Sequence, residues 1–162
     1  MNKVSVIMST YKEPIDWIRQ SIDSILNQTF SEFEFIIVVD NPKYKELISV
    51  LNDYAEADNR ICIMVNENNI GLVKSLNKAL SQCNGEYIVR MDADDISLPE
   101  RIAHQIDYIN NKKYDLVGCF YEVFYEDKTL RIAQGAKTHE VCEKILQYES
   151  CVACLLYTSP SP

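Results

Sequence analysis

The sequence predicts an α/β domain built on a mainly parallel sheet flanked by helices, and three observations predict it. Four short apolar, β-branched runs recur between residues 4 and 91, each separated from the next by an amphipathic stretch at helical spacing. The runs are continuously hydrophobic rather than alternating, as strands covered on both faces must be. With 162 residues, 47% hydrophobic and 25% charged, the chain can bury one domain core.

The elements follow in order. Val4 to Met8 reads as the first strand, and Pro14 opens a helix with Ile18, Ile22, Ile25 and Leu26 on one face. Phe33 to Val39 is the second strand. Tyr44 to Ala57 is helical, with Leu47, Leu51 and Tyr54 aligned, and Ile61 to Val65 is the third strand. After the turn Asn68-Asn69-Ile70-Gly71, a third helix carries Leu72, Leu76, Ala79, Leu80 and Cys83 and is stopped by Asn84-Gly85. Tyr87 to Met91 is the fourth strand and Pro99 to Asn111 the fourth helix, with Ile102, Ile106 and Ile109 inward. Beyond Leu116 the rhythm changes to a hairpin, Leu116 to Tyr125 and Leu130 to Gln134 around Glu126-Asp127-Lys128, then a helix from about Thr138.

Charge excludes one class of function. The net charge is −8 and no basic cluster is present, the wrong sign for binding a nucleic-acid backbone. No apolar run is long enough to cross a bilayer, and Met1-Asn2-Lys3 leads straight into a strand-like run, so a cytoplasmic protein is expected. The six cysteines (Cys62, Cys83, Cys119, Cys142, Cys151 and Cys154) are expected to be buried free thiols. His104 and His139 are isolated and read as surface residues, and Tyr121 and Tyr125 as hairpin packing. The final nine residues, "CLLYTSPSP", resemble the translated adapter of a transposase-based sequencing library. Natural sequence is therefore expected to end near Ala153, with residues 154–162 a non-native tail and the chain a fragment.

Ligands of open α/β sheets bind beyond the carboxyl ends of the strands. Here those ends carry Ser9-Thr10-Tyr11-Lys12-Glu13, then Asp40-Asn41, then Asp92-Ala93-Asp94-Asp95. If the first strand lies between the second and fourth, all three groups meet in one crevice. Four glycines and no G-x-G-x-x-G or G-x-x-x-x-G-K-[ST] leave no backbone cradle for phosphate. Clustered carboxylates can hold a diphosphate only through a hard cation, Mg²⁺ or Mn²⁺. Ser97-Leu98-Pro99-Glu100 also matches a helix capping box, which accounts for Ser97, Glu100 and Asp95 but poorly for Asp92 and Asp94. On spacing alone both readings stand.

The segments "VSVIMSTYKEP", "SILNQTFSEFEFIIVVDN" and "NENNIGLVKSLNKALSQCNGEYIVRMDADDISLPERIAHQIDYI" together resemble the nucleotide-binding part of family 2 glycosyltransferases with the GT-A fold, over about residues 3 to 112. The resemblance implies inverting transfer of a sugar from a nucleotide-diphosphate donor, UDP-linked, to a glycan or lipid-linked acceptor, as in polysaccharide assembly. It implies that Thr10, Tyr11 and Glu13 form the base loop and that Asp40 hydrogen-bonds a uracil-type ring. Asp92 and Asp94 match the D-x-D motif that contacts ribose and metal-bound diphosphate, with Asp95 sharing the metal. Beside the resemblance, Lys74 and Asn77 on the helix after Gly71 could reach the diphosphate, and a solvated lysine is an equal reading. Val39-Asp40-Asn41-Pro42 keeps one acid where the family commonly has two followed by Gly-Ser. Residues 1–153 would be the donor-binding domain, inactive alone, with the catalytic base beyond Ala153. Association with the inner face of the membrane is expected only of a full-length protein.

Two rivals differ in class. A phosphatase or phosphotransferase of the haloacid-dehalogenase type needs its aspartate nucleophile after the first strand, where this chain has Ser9-Thr10. A non-catalytic nucleotide-binding module would bind donor without turning it over.

Overall fold

In the computed structural model the described residues are 4–112, 114–125, 128–133, 140–141 and 153–158. The elements run β1 (Val4–Thr10), α1 (Ile15–Leu26), β2 (Phe33–Val39), α2 (Lys45–Ala57), β3 (Ile61–Val65), α3 (Leu72–Leu80), β4 (Tyr87–Asp92), α4 (Arg101–Lys112), β5 (Leu116–Cys119), β6 (Tyr121–Tyr125), β7 (Lys128–Ala133) and β8 (Ala153–Thr158). One sheet has the order β3-β2-β1-β4-β8-β5, and β6 and β7 form a separate pair. β1 pairs in parallel with β2 on one side and β4 on the other, the arrangement needed for a shared crevice.

Burial explains why the central runs carry no alternation. Val4, Val6 and Met8 face a core built with Ile18, Ile22 and Ile25 of α1, Leu47 and Leu51 of α2, and Ile102, Ile106 and Ile109 of α4. Ile7, Ile36, Val38 and Ile88 point the other way, onto Ala79 of α3. Both faces of β1 and β2 are therefore covered, so the runs are apolar on both faces except at Ser5 and Glu34, which hydrogen-bond to each other. Among the described residues no helix is long and apolar enough to cross a membrane.

Several expectations change. β1 runs on to Thr10 because Ser9 and Thr10 still pair with Val38 and Val39, although their side chains end the apolar run. The arm expected over Leu116 to Tyr125 breaks at Phe120: Leu116–Cys119 joins the main sheet, whereas Tyr121–Tyr125 pairs with Lys128–Ala133. Of the helix expected from Thr138, Glu140 and Val141 are helical and the rest lies outside the described residues, as do His139, Cys142 and Cys151. Cys62 is exposed rather than buried, because it stands on the edge strand β3; Cys83 and Cys119 are half-buried. Burial pushes the Cys83 thiol up, with Glu34 adding to it and a hydrogen bond from Ser5 opposing.

Ala153–Thr158, all but its first residue assigned above to a tail, forms β8 antiparallel to β4 and β5. A slot between two strands accepts any short β-prone run, and Cys154-Leu155-Leu156-Tyr157-Thr158 is one. Pairing of this kind tests shape and says nothing of where the residues came from.

Candidate functional site

The crevice opens where β1, β2 and β4 end side by side. Thr10 pairs with Val39 and Ser9 with Asp92, and the Asp40 N–H donates to the Thr10 carbonyl at 2.7 Å. Between the first two ends lies a cavity of about 280 Å³ lined by Ser9, Thr10, Tyr11, Glu13, Asp40, Asn69, Gly71 and Leu72. Four of the predicted site residues thus share one cavity.

Glu13 organises the floor of this cavity. Its Oε2 accepts the Thr10 hydroxyl at 2.7 Å, the Tyr11 N–H at 2.7 Å and the Lys12 N–H at 3.1 Å. Burial works to raise its carboxyl, but the Tyr11 and Thr10 donors, with the Glu13 and Lys12 amides, outweigh that and hold it below the ordinary range. Asn41 Nδ2 donates to the Tyr11 carbonyl at 3.2 Å, so the tyrosine ring, exposed, stands on a braced backbone.

Asp40 is more tightly held than the sequence suggests. It is 2% exposed. Its Oδ1 accepts Asn66 Nδ2 at 2.8 Å and the Ile70 N–H at 2.9 Å, and its Oδ2 accepts the Gly71 N–H at 2.8 Å. Burial again works to raise the carboxyl, while the Ile70, Asn66, Gly71 and Ser75 donors hold it low and ionised. An ionised carboxylate only accepts hydrogen bonds. Gly71 supplies its N–H from a left-handed backbone with φ of 87° and no atom near where a Cβ would sit, so torsion and not space calls for glycine there.

The acidic segment forms the other wall of the crevice: Asp92 pairs with Ser9 at the end of β4, and Asp92, Asp94 and Asp95 do not line the cavity itself. Asp92 closes β4, and its Oδ1 accepts Arg90 Nε at 3.1 Å and Nη2 at 2.7 Å. Asp94 and Asp95 are exposed. Although the residue is exposed, partial desolvation of the Asp95 carboxyl and the negative charges of Asp92 and Asp94 push it up, against the pull of Arg101 and Arg90. Lys74 and Asn77 are exposed on α3 and do not line the cavity.

The capping box does not form as expected. α4 begins at Arg101, and Ser97 Oγ accepts Arg101 Nε at 2.6 Å and Gln28 Nε2 at 3.1 Å. The segment is instead stitched to α1 and the turn after it. Ser21 Oγ donates to the Asp92 carbonyl at 3.0 Å, the Ser97 N–H to Ser24 Oγ at 2.9 Å, and Gln28 Nε2 to the Leu98 carbonyl at 2.7 Å. The Ile102 N–H returns to Gln28 Oε1 at 3.1 Å.

These supports went unread in the sequence, yet a signal existed. Ser21, Gln28 and Ser75 occupy positions where the helical apolar spacing calls for a hydrophobe, three residues after Ile18, Ile25 and Leu72. A polar residue on a buried face must find a partner.

Among the described residues no three His, Cys, Asp or Glu side chains converge as a ready-made metal cage. The donor set still suits a hard cation, because exposed carboxylates that repel one another gain from a positive ion and leave positions for further oxygens. Asp94 and Asp95 would hold such an ion, with Asp92 beside them.

The strand order, with a polar crevice where it reverses, defines a doubly wound α/β domain. The chain belongs to glycosyl transferase family 2, whose model matches residues 5–154. An uncharacterized glycosyltransferase of Methanocaldococcus jannaschii is 43% identical over 135 residues, covering 83% of this chain and 46% of the relative. The O-antigen biosynthesis glycosyltransferase WbnJ of Escherichia coli is 35% identical over 154 residues, 94% of this chain and 59% of its own length. The chain thus spans about half the length of the curated relatives it matches. Its fold is that of TarS 1-349 of S. aureus in complex with UDP-GlcNAc (TM-score 0.70, 22% identity, 97% of this chain and 45% of that one). It is likewise that of the mannosyltransferase PcManGT of Pyrobaculum calidifontis in complex with GDP-Man and Mn²⁺ (TM-score 0.66, 24% identity, 72% and 35%). Family membership sets the haloacid-dehalogenase alternative aside.

Proposed function

We propose that this chain is the donor-binding part of an inverting, metal-dependent glycosyltransferase that moves a sugar from a UDP-linked donor to a hydroxyl of a glycan or lipid-linked acceptor. The observation that carries the reading is the meeting of two unlike walls at the ends of β1, β2 and β4: a hydrogen-bonded wall at Thr10, Glu13 and Asp40, and an acidic wall at Asp92, Asp94 and Asp95. Tyr11 offers a ring face to the base, and Asp40, ionised and therefore acceptor-only, receives its ring N–H. Asp92 receives the ribose, and Lys74 swings toward the diphosphate from α3. A Mn²⁺ or Mg²⁺ ion on Asp94 and Asp95 supplies charge neutralisation for the diphosphate when bound. The carboxylate that deprotonates the acceptor is assigned beyond Ala153, to the half of the relatives' length that this chain does not span. A cytoplasmic position, peripheral to the inner membrane face when the acceptor is lipid-linked, goes with this reading.

Calorimetry on the 162-residue chain tests it. UDP binds in the presence of Mn²⁺, loses at least about tenfold in affinity with chelator, and outbinds CDP. Equal affinity with and without the ion sinks the metal bridge. A full-length relative carrying the same D-x-D segment that binds UDP-sugar but transfers nothing would favour the non-catalytic module.

A further inference from the structure

Asn66 follows β3 directly and is 2% exposed, so each of its hydrogen bonds must be met inside the protein. Its Nδ2 donates to Asp40 Oδ1 at 2.8 Å and to Ser75 Oγ at 2.9 Å. Its Oδ1 accepts Lys78 Nζ at 2.8 Å. Lys78 lies in the last turn of α3, half-buried, and among the described residues it ion-pairs with no carboxylate. Its ammonium acts on the amide.

The amide's two ends are nearly the same size, so sterics alone would let it turn over and exchange donor for acceptor. Lys78 removes that freedom. A –NH₂ group cannot face an ammonium, so the carbonyl must point to Lys78 and the –NH₂ to Asp40. A turned-over amide would aim its oxygen at the Asp40 carboxylate, setting acceptor against acceptor, and Oδ1 would keep only the Ile70 N–H, with the Gly71 N–H on Oδ2, to fix its direction.

We infer that Lys78 and Asn66 are positioning residues for the nucleobase, forming a cation–amide–carboxylate relay that aims Asp40 at a ring bearing an N–H and against one with a bare ring nitrogen there. Neither touches the ligand; both act through Asp40. The inference rests on the proposed base-reading role of Asp40, and the experiment separates the two.

UDP and CDP are titrated calorimetrically, with Mn²⁺, into the wild-type chain and the variants Lys78→Met, Lys78→Arg and Asn66→Asp. The wild type prefers UDP by about tenfold or more, the scale of one hydrogen bond to a charged group. Lys78→Met, a half-buried change on a helix surface, narrows that preference roughly five- to tenfold, chiefly by weakening UDP. Lys78→Arg restores it, because a second cation again faces the amide oxygen. Asn66→Asp sets a carboxylate against Asp40 and narrows the preference further. The loss on chelation stays the same in Lys78→Met and Lys78→Arg, since the acidic wall is untouched. The relay is overturned if Lys78→Met keeps the wild-type preference, or weakens both nucleotides equally while lowering the melting temperature, as mere support of α3 predicts. A wild type without preference removes the base-reading role itself and the relay with it, an outcome visible before any variant is made.

Discussion

The two walls of the crevice carry the same side chain, a carboxylate, in opposite conditions. Asp40 and Glu13 sit among donors that the fold has already supplied, and both carboxyls are held low. Asp94 and Asp95 are exposed, and partial desolvation of its carboxyl with the charges of its acidic neighbours pushes Asp95 up. One wall is finished by the protein; the other is left short of positive charge. Unsatisfied carboxylates have the more to gain from a cation, so under the proposed function the finished wall reads the base and the other takes the ion.

The largest test of that contrast is Asp40→Ala. It strips the acceptor from Asn66, Ile70 and Gly71 at once, and folding stability should drop by about 2–4 kcal/mol by urea denaturation. Nucleotide preference should vanish with it. Asp94→Asn should do the reverse: stability stays within about 0.5 kcal/mol, while Mn²⁺-dependent UDP binding falls at least about tenfold by calorimetry. If Asp94→Asn instead destabilises the fold as much as Asp40→Ala, the walls do not differ in kind.

Acid sharpens the contrast through the signs. Asp40 and Glu13 have folded pKa values below their unfolded values of 3.8 and 4.5, so they contribute stability above those values and lose it as pH falls through the lowered folded ones. Asp95 is raised above 3.8, so its ionised form weakens the fold at neutral pH, and the penalty fades as pH falls through the raised value. Asp95→Asn should therefore stabilise by a few tenths of a kcal/mol at pH 7, small because the group is exposed and screened, and by nothing below about pH 4. Melting curves at the two pH values check it. The smallest expected effect is that Mn²⁺ alone raises the melting temperature of the wild type by about a degree or two and that of Asp95→Asn by less.

Much of the fold was legible because burial writes itself into apolar runs. Phe33–Val39 and Ile61–Val65 were read to the residue, since both strands begin and end with the apolar stretch. α3 stops at Leu80 rather than at Asn84-Gly85, because helical hydrogen bonding ends before the hydrophobic spacing does. The Phe120 break was invisible: the apolar stretch runs on while the two halves pair with different partners. At the site, position was legible and condition was not. The end of β2 announced an aspartate at the crevice, but nothing near Asp40 in sequence announces Asn66, Ile70 and Gly71, which lie 26 to 31 residues on. Gln28 and Ser97, 69 residues apart, were hidden for the same reason.

Gly85 sits at the opposite end of the sheet from the crevice, just before β4. A Cβ there would lie 2.5 Å from the Ser5 backbone nitrogen and 2.6 Å from the Val4 carbonyl carbon, and its own N–H is tied to Ser5 Oγ at 2.8 Å. β1 and β4 are rigid rods that carry one wall of the crevice each at their far ends, Thr10 and Asp92. A wedge of even a methyl group at the near end would shear one rod along the other or tilt the two apart, and the displacement would be felt most where they end. The width of the crevice is thus gauged about five residues away, by the smallest side chain in the alphabet.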